Sequence, residues 1–315
     1  MQAAADFLGP GAIEVDRYQA EIFDLVKRRF VFGQRIQVVL ATGQPSRYFE
    51  QLGIPTASAV ATRLIAPTAT EPNRVERAVT LKAIAAQINY SQFDVEVTAQ
   101  QAQFAYLEAK DLTDTIDAVL KEHDQELWNG NDTDLVNPST NQYYGVSGQI
   151  LNAPIVNAAA QQNVVPATGS LVDGTKSLIA NMAARTDYEV RPNAFYMNPI
   201  FNDLFDREAK SVQLYYNEVE VIPGVIVKAL PTAIGVIPLI PDPALKSLPS
   251  GSLTQHTGFV ISEDDVEYHY LTSPLPRVFQ LGLLANLASQ FVCLKFGAVV
   301  AKGPNYAHAA LITVR

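Results

Sequence analysis

The stretch TAQQAQFAYLEAKDLTDTIDAVLKEHDQELWNG, residues Thr98–Gly130, predicts one very long helix. It contains no proline, and its first glycine is its last residue. Thr98 followed by Gln101 is the pattern of a capping box at a helix start. Asn129-Gly130 favours a helix stop, with glycine in the left-handed position after the last turn. At 1.5 Å per residue such a helix is about 45 Å long.

One side of this predicted helix is apolar. The stripe at about 100° per residue consists of Ala105, Ala109, Leu112, Ile116, Val119, Leu120, His123 and Leu127. The opposite side carries charged residues, and we expect Asp124 among them in solvent. A long helix with one apolar stripe indicates a strut across a flat domain, with a sheet laid along it. No catalytic motif lies on the helix.

Composition narrows the classes of function. The chain has 315 residues, of which 48% are hydrophobic and 17% charged, so it is a folded protein with room for two domains. Its net charge of −9 disfavours direct nucleic-acid binding, which needs clusters of Lys and Arg. The one basic run, Lys27-Arg28-Arg29, is explained as a helix end. Cys293 is the only cysteine, which excludes an internal disulfide and a thiolate metal site.

Targeting and membrane signals are weak. The first residues, MQAAADFLGPGAIEVD, lack the basic and apolar regions of a secretory signal. Residues 224–240 and 279–301 are apolar but interrupted by polar residues, so we interpret them as buried strands rather than membrane spans. We therefore expect a soluble protein that is made in the cytoplasm and has no membrane partner.

A ribbon with a polar tip is predicted before the long helix. Ser58–Ile65 and Ala78–Tyr90 have strand patterns, and the proline-containing segment APTATEPNRVER joins them. An isolated ribbon is barely stable in water, so it folds back on its own domain or lies on a neighbouring subunit. In the second case, the candidate inter-subunit residues are the arginines near the tip, Arg63, Arg74 and Arg77. The sequence alone leaves both alternatives open.

The remainder of the chain has an α+β order. Helices are predicted at Leu171–Arg185 and after Asn198-Pro199. Strands are predicted at 34–40, 194–197, 219–230, 235–240, 259–262, 266–271, 290–301 and 307–314.

The search for catalytic or metal-binding motifs mostly excludes them. The sequence has no phosphate-binding glycine motif, no HExxH and no nucleophile elbow. Asp132 and Asp134 begin like a calcium loop, but its glycine and final glutamate are missing, so we favour a plain turn. Glu263, Asp264 and Asp265 are adjacent, and we expect them to point apart into solvent. The histidines are scattered and are interpreted as structural, His123 in the core or an interface and His308 within a strand.

The order of these elements resembles the major capsid proteins of tailed bacteriophages, the fold named after phage Hong Kong ninety-seven. The resemblance covers nearly the whole chain. It rests on an arm, a ribbon, a long helix ending in Trp128-Asn129-Gly130 and the strand–turn run Pro231–Asp242. The final strands, which end in PNYAHAALITV, complete the order. Each piece alone is weakly specific, and the order and spacing carry the resemblance.

The resemblance implies four regions. Residues 1–42 would be an N-terminal arm, and residues 43–90 the extended loop formed by the β-ribbon. Residues 91–150 and 274–315 would form a peripheral domain, and residues 151–273 an axial domain. The long helix would be the spine of the peripheral domain, with Leu112, Ile116, Val119, Leu120 and Leu127 in its core.

The implied function is non-enzymatic and needs no cofactor or metal. Hexamers and pentamers of the chain would build an icosahedral virion shell around double-stranded DNA, without sequence-specific binding. The implied partners are further copies of the chain, a portal protein at one vertex, a separate scaffolding protein and possible decoration or cement proteins. Synthesis would take place in the cytoplasm of a host bacterium. The alternative is a bacterial encapsulin shell, which shares this fold and holds protein cargo.

Some members of the resembled family crosslink covalently through a lysine of the extended loop. Here the ribbon tip carries Arg74 and Arg77, and Lys82 lies inside the second predicted strand. We therefore expect no such crosslink.

Overall fold

The computed structural model describes residues 31–55, 57, 71–91, 105–185, 190–211, 216–281 and 288–315. The helices in these ranges are α1 Phe32–Arg35, α2 Ala105–Asn129, α3 Val146–Leu151, α4 Ala158–Gln161, α5 Leu171–Ala183 and α6 Pro199–Ser211. Among the described residues, no helix combines the length and the apolar character needed to cross a membrane.

The strands follow each other in the chain as β1 to β15. Their bounds are β1 Gln37–Leu40, β2 Ser46–Gly53, β3 Asn73–Val79, β4 Lys82–Ser91, β5 Gln162–Val165, β6 Ala194–Met197, β7 Asn217–Ile222, β8 Val225–Thr232, β9 Gly235–Pro241, β10 Leu248–Ser250, β11 Leu253–Ile261, β12 Val266–Tyr270, β13 Arg277–Leu281, β14 Ala288–Ala301 and β15 Ala309–Val314. A short 3₁₀ turn, Glu263–Asp265, separates β11 from β12.

A five-stranded sheet forms around the long strand β14. Strand β4 runs antiparallel along one side of β14, while β12 and β13 follow one another along the other side. Strand β1 adds to β12 in parallel. The helix α2 packs on one face of this sheet, where Val119 meets the core that Ile84 and Cys293 share. The expected strut with a sheet along it is therefore present.

An eight-stranded sheet forms the second half of the molecule. Its order is β5-β15-β11-β6-β9-β8-β7, and β10 pairs with β11. Helices α5 and α6 contribute buried apolar side chains such as Leu178 and Phe201 to the core of this half. The predicted strand Ala194–Met197 is confirmed with the same bounds, and all four residues are buried. Both helices predicted in this half are confirmed as well.

The chain exchanges strands between the two sheets. Strand β12 lies in the five-stranded sheet, although its residues fall in the expected axial segment 151–273. Strand β15 lies in the eight-stranded sheet, although it falls in the expected peripheral segment 274–315. At these two strands, the sheet to which the strand belongs therefore differs from the segment in which it was expected. Each strand lies in the sheet that supplies hydrogen-bonding partners for its backbone.

The ribbon consists of strands that differ from the predicted pair. Strands β2 and β3 pair antiparallel in a sheet of their own, from Ser46 opposite Val79 to Gly53 opposite Asn73. The predicted strand at 78–90 is divided at Thr80 and Leu81, and its larger part, β4, pairs with β14. The other predicted strand, 58–65, lies outside the described residues. The alternation of apolar and polar residues along the sequence predicts extended segments, but it does not indicate which strands pair with each other.

Two expectations about strand turns also change. The segment 219–230 is a hairpin, in which β7 and β8 meet around Gly224. Gly224 has a φ of 78°, a conformation that glycine adopts without a steric penalty. The strand predicted to end at residue 230 continues through Thr232, since Pro231 and Thr232 of β8 pair with Val236 and Gly235 of β9.

The long helix ends at Asn129, as the sequence predicts, but the role of Gly130 is different. The φ of Gly130 is not positive. The glycine is needed because a Cβ atom here would lie 2.2 Å from the carbonyl oxygen of Tyr143 and 2.8 Å from that of Glu126. The predicted start at Thr98 lies outside the described residues. Asp124, expected in solvent, is buried at 8% exposure on the side of α2 that faces the sheet.

The two sheets share one core at the C-terminal end of α2. The ring of Trp128 stacks on Phe32 at 4.2 Å and on Phe259 at 5.6 Å between centroids. Its indole N–H donates to the Asp242 carboxylate at 3.0 Å. The Trp128 side chain is completely buried. The end of the helix is thereby fixed to strand β11 and to the end of strand β9.

We predict that Gly130→Ala prevents folding or lowers the free energy of unfolding by more than about 3 kcal/mol, because the added methyl group meets two backbone oxygens that cannot move away. Gly43→Ala is the matched control, since its nearest neighbour would be 3.9 Å away. The control should change stability by less than about 1 kcal/mol. Urea unfolding of both variants measures this, and equal stabilities would contradict the role given to Gly130.

Candidate assembly surface

The ribbon has one face toward its own body and one face toward solvent. Along β2, Ser46 and Tyr48 are buried, while Arg47 and Phe49 are exposed. The Phe49 side chain is 71% exposed. Because successive residues of a strand point to opposite faces, β2 presents an apolar aromatic ring away from the domain that carries it. A single exposed ring is common on protein surfaces, so Phe49 is a candidate contact because of its place on the outer face of the ribbon.

The three candidate arginines lie in different environments. Arg74 is exposed on β3, where its backbone pairs with Gln51. Arg77 donates to Glu50 of its own chain at 3.1 Å, so it has a carboxylate partner within the ribbon. Arg63 lies outside the described residues.

The candidate core residues of the long helix are buried to different degrees. Val119 and Leu127 are at 1% and 0% exposure and belong to the core shared by both sheets. Ile116 is partly buried and packs against that core. Leu112 and Leu120 are half-buried.

The face of the five-stranded sheet opposite α2 is partly exposed. Alternate residues of β4 on this face, Ala83 and Ala85, are exposed, as is Phe279 of β13. At one end of the same face, Tyr48 and Val79 of the ribbon pack on Ala298 and Val300. The ribbon therefore leaves the body from the side on which apolar sheet surface remains open.

A cavity of about 340 Å³ separates the inner face of the ribbon from the body. Its walls include the rings of Tyr48, Tyr144 and Tyr306. Its two charged lining residues, Arg77 and Glu50, pair with each other. The cavity therefore offers no unpaired charge to hold a small ionic substrate.

The acidic turn after β11 overturns one expectation. Glu263, expected in solvent, is 6% exposed. Its carboxylate accepts two hydrogen bonds from Arg35 at 2.6 Å each and one from the Tyr196 hydroxyl. The hydrogen bond to Glu263 also raises the pKa of the Arg35 guanidinium. This bidentate pair joins the turn before β12 to α1, and no local sequence signal marks a partner 228 residues away.

The Asp132 carboxylate lies beside Lys82 at the start of β4, and both of its oxygens are engaged by donors of the same chain. Oxygen Oδ1 accepts from the backbone N–H groups of Thr133 and Ser139, at 2.8 and 2.9 Å, while Oδ2 pairs with Lys82. Burial raises the pKa of this carboxyl, but the hydrogen bonds outweigh it and hold the pKa well below its usual range. Within the described residues, no three His, Cys, Asp or Glu side chains are grouped as metal ligands.

The four histidines are all buried. The ring of His123 lies edge-on to Tyr143 and Tyr268, at 5.8 and 4.7 Å between centroids, which agrees with a place in the core. His308 lies at 0% exposure just before β15. His256 contacts the Ser247 hydroxyl at 2.8 Å through Nδ1.

His269 joins a serine and a glutamate, the residue types of a hydrolytic triad. Its Nδ1 lies 2.9 Å from Ser46 Oγ, and its Nε2 lies 3.2 Å from Glu267 Oε2. Ser46 is at 0% exposure, so its hydroxyl cannot meet a substrate in this conformation. The arrangement ties the first residue of the ribbon to strand β12. No local sequence pattern indicates this contact, because Ser46 and His269 are 223 residues apart.

Comparison with solved structures identifies the fold. The chain is similar to the capsid of a native GTA particle at 16% identity and a TM-score of 0.64, with 99% of both chains covered. It is similar to a structure of Mycobacterium phage Bobi at 14% identity and a TM-score of 0.60, with 95% of each chain covered. An encapsulin, the holo-SrpI complex from Synechococcus elongatus PCC 7942, matches at 12% identity and a TM-score of 0.60, covering 95% of this chain and 91% of its own.

The protein therefore has the α+β capsid fold named after phage Hong Kong ninety-seven, and the expected fold class is confirmed. No protein-family model matches the sequence, and no curated protein sequence matches it. At these low identities, the shared feature is the architecture of the chain.

We predict that His308 makes the fold acid-sensitive. Complete burial lowers the pKa of its imidazole from 6.5 to about 4. As the pH falls from 6.5 toward 4, the unfolded chain takes up a proton that the folded chain does not, so stability is lost over that interval. The linked loss reaches about 2 kcal/mol at pH 5 and about 3 kcal/mol below pH 4.

The measurement is urea unfolding of the wild type and of His308→Gln at pH 7.5 and pH 5. The stability difference between the two proteins should move in favour of the variant by about 2 kcal/mol at the lower pH. An unchanged difference would mean that His308 does not titrate as its burial implies.

Proposed function

We propose that this chain is a major capsid protein whose copies assemble as hexamers and pentamers into an icosahedral shell. The observation that carries the proposal is a fold match extending over 95% or more of the chain to the capsid of a GTA particle and to a phage structure. The ribbon supports it, because a two-stranded ribbon in a sheet of its own is barely stable in water and gains stability by lying on a neighbouring subunit. A shell subunit acts through contacts with its copies, so the proposed role is structural and not enzymatic.

The regions follow from the same proposal. Residues 1–42 are assigned as an N-terminal arm, and 43–90 as the extended loop, in which β2 and β3 form the ribbon. Residues 91–150 and 274–315 are assigned mainly to a peripheral domain with α2 as its spine, and 151–273 mainly to an axial domain. The proposed content is double-stranded DNA held without sequence-specific contacts, in agreement with the net charge of −9.

The proposed partners beyond the chain itself are a portal protein at one vertex, a separate scaffolding protein and a decoration or cement protein. The proposed place of the mature protein is the virion, after synthesis in the cytoplasm of a host bacterium. Co-expression with neighbouring genes, followed by sedimentation and electron microscopy, tests the proposal. Large closed particles are expected, and a protein that stays monomeric at high concentration with those partners present would contradict it.

An encapsulin-type shell is the second candidate function, because the holo-SrpI encapsulin complex has the same fold over nearly the whole chain. The two functions differ in content. A phage head purified from infected cells contains long double-stranded DNA and carries a tail, whereas a nanocompartment contains protein cargo. Nuclease-protected DNA in purified particles distinguishes them.

We predict that Phe49→Ser and Arg74→Ala leave the fold intact and weaken assembly. Both side chains are exposed on the ribbon, so removing them costs the isolated subunit little. Each should raise the protein concentration needed for particle formation by about tenfold, which corresponds to about 1.4 kcal/mol per contact. Lys176→Ala on α5, outside the ribbon, is the control. Sedimentation at graded concentrations measures the effect, and an unchanged threshold for both variants would remove the ribbon from the assembly contacts.

We also predict that assembled particles contain no covalent multimers formed through Lys82. Its ammonium is nearly buried and is bonded to Asp132 and to the carbonyl oxygens of Thr140 and Gln142. A lysine held within its own subunit in this way cannot reach a neighbouring chain. Denaturing electrophoresis of purified particles should give one band near 34.3 kDa, and a ladder of multimers would contradict this.

A further inference from the structure

Two segments of chain connect the ribbon to the body, residues 41–45 and 80–81. The side-chain amide of Gln44 donates to the Leu81 carbonyl at 3.2 Å and accepts from the Leu81 N–H at 2.9 Å, so the two connecting segments are hydrogen-bonded to each other. The Thr80 N–H donates to the carbonyl of Leu135 at 2.8 Å. The end of β3, where the chain returns to the body, is thereby fixed to it.

The start of β2, where the chain leaves the body, is held by a chain of four polar side chains. We call these side chains the root network: Ser46, His269, Glu267 and Lys302. Ser46 Oγ lies 2.9 Å from His269 Nδ1, and His269 Nε2 lies 3.2 Å from Glu267 Oε2. The other Glu267 oxygen accepts from Lys302 Nζ at 2.5 Å. Ser46, His269 and Glu267 have exposures of 0%, 3% and 9%.

Each ring nitrogen of His269 has one polar partner in the root network. A carboxylate only accepts, so the Nε2–H of His269 donates to Glu267, and Nδ1 shares a hydrogen bond with the Ser46 hydroxyl. The hydrogen bond from His269 lowers the pKa of Glu267, so its carboxylate stays charged at neutral pH. With both ring nitrogens engaged, rotation of the ribbon about its root would break buried hydrogen bonds and leave polar groups unpaired.

The apolar support at the same place is small. It consists of the buried side chains Tyr48, Val79, Ala298 and Val300, with Leu81 and Leu135 packed against them. Polar contacts therefore hold the ribbon in one direction: the root network at its first residue, the ties of Gln44 and Thr80, and Glu50, which accepts from the Gly303 N–H at 3.1 Å.

The length of the ribbon turns a small rotation at its first residue into a large displacement of its far end. From Ser46 to Gly53, β2 is about 25 Å long at about 3.3 Å per residue, so a 10° rotation at Ser46 moves its far end by about 4 Å. Side chains in contact lie within about 4.5 Å of each other, so a movement of that size removes one set of contacts and creates another. Identical subunits close into a shell only if their relative rotation closes, which makes shell geometry sensitive to this angle.

We propose that the root network sets the angle at which the ribbon leaves the subunit, and through that angle the diameter of the closed shell. Ser46, His269, Glu267 and Lys302 are positioning residues in this role. The effect on shell diameter rests on the proposed function, whereas the effect on ribbon angle belongs to the subunit alone.

The test uses two root variants and two matched controls. Ser46→Ala removes one hydroxyl group, and His269→Gln replaces the ring by a side chain that cannot bridge both partners. The controls are Ser247→Ala and His256→Gln, which alter a partly buried serine–histidine contact of 2.8 Å at the eight-stranded sheet. Thermal unfolding of all four proteins establishes which of them fold, and the milder Ser46→Ala decides the result if His269→Gln does not fold.

The first measurement is the distribution of particle diameters by electron microscopy. Wild type and controls should give one diameter, and the root variants should give several diameters or open sheets. The same single diameter for folded root variants would overturn the proposal. So would controls that change the diameter as much as the root variants, because the effect would then be a general consequence of losing a serine–histidine contact.

The second measurement is hydrogen exchange of the unassembled subunit. Amides of the ribbon root, at Arg47, Ala78 and Thr80, should exchange roughly five- to tenfold faster in Ser46→Ala than in wild type, which is the effect of losing about one buried hydrogen bond. Unchanged exchange there would overturn the proposal even if particle sizes differed. If wild type forms no particles, the proposed function fails, and this measurement still decides whether the root network holds the ribbon.

Discussion

The burial of the Trp128 indole is the interaction on which the rest of the structure depends. Its ring lies between Phe32 and Phe259, and its N–H is satisfied by Asp242. Burial raises the pKa of the Asp242 carboxyl, while the hydrogen bonds from Ala244 and Trp128 oppose that rise. A buried indole whose polar group is paired combines a large apolar area with one defined orientation. The C-terminal end of the longest described helix is therefore fixed in the core that both sheets share.

The packing around Trp128 holds the surrounding surfaces in a fixed arrangement. The five-stranded sheet, the helix α2 and the eight-stranded sheet meet in one core, so they form a firm base from which the ribbon projects. The ribbon has its own exposed apolar ring at Phe49 and is held at its root by polar groups. A firm body and a directed, apolar projection are what a subunit needs in order to contact copies of itself in a repeated geometry.

The sequence predicted those parts of the fold that local chemistry determines. The helix over Ala105–Asn129 follows from the spacing of its apolar residues, and its end follows from Asn129-Gly130. The reason for Gly130 was predicted wrongly, since the carbonyl of Tyr143, which excludes a side chain there, comes from a later loop. The second strand of the ribbon was predicted at the wrong place, since β3 spans Asn73–Val79 and most of the predicted strand pairs with β14 instead. Alternation identifies extended segments, whereas pairing depends on partners that can be far away along the chain.

The polar contacts of the candidate surface could not be predicted from the sequence, for the same reason. Glu263 has the local pattern of a solvent-exposed turn, yet Arg35 lies beside it in the folded chain. Lys295 lies at 5% exposure beneath α2, where burial lowers its pKa to about 8 and Asp124 opposes that shift. No local pattern predicts a lysine in that position, because its environment is created by packing the helix on the sheet.

A cryo-electron microscopy map of particles assembled from this protein would show directly which surfaces of the subunit are in contact. We expect a closed shell of hexamers and pentamers in which the outer face of the ribbon, including Phe49 and Arg74, is covered by a neighbouring subunit. A shell in which both side chains remain in solvent, or assemblies without closed symmetry in the wild type, would contradict it.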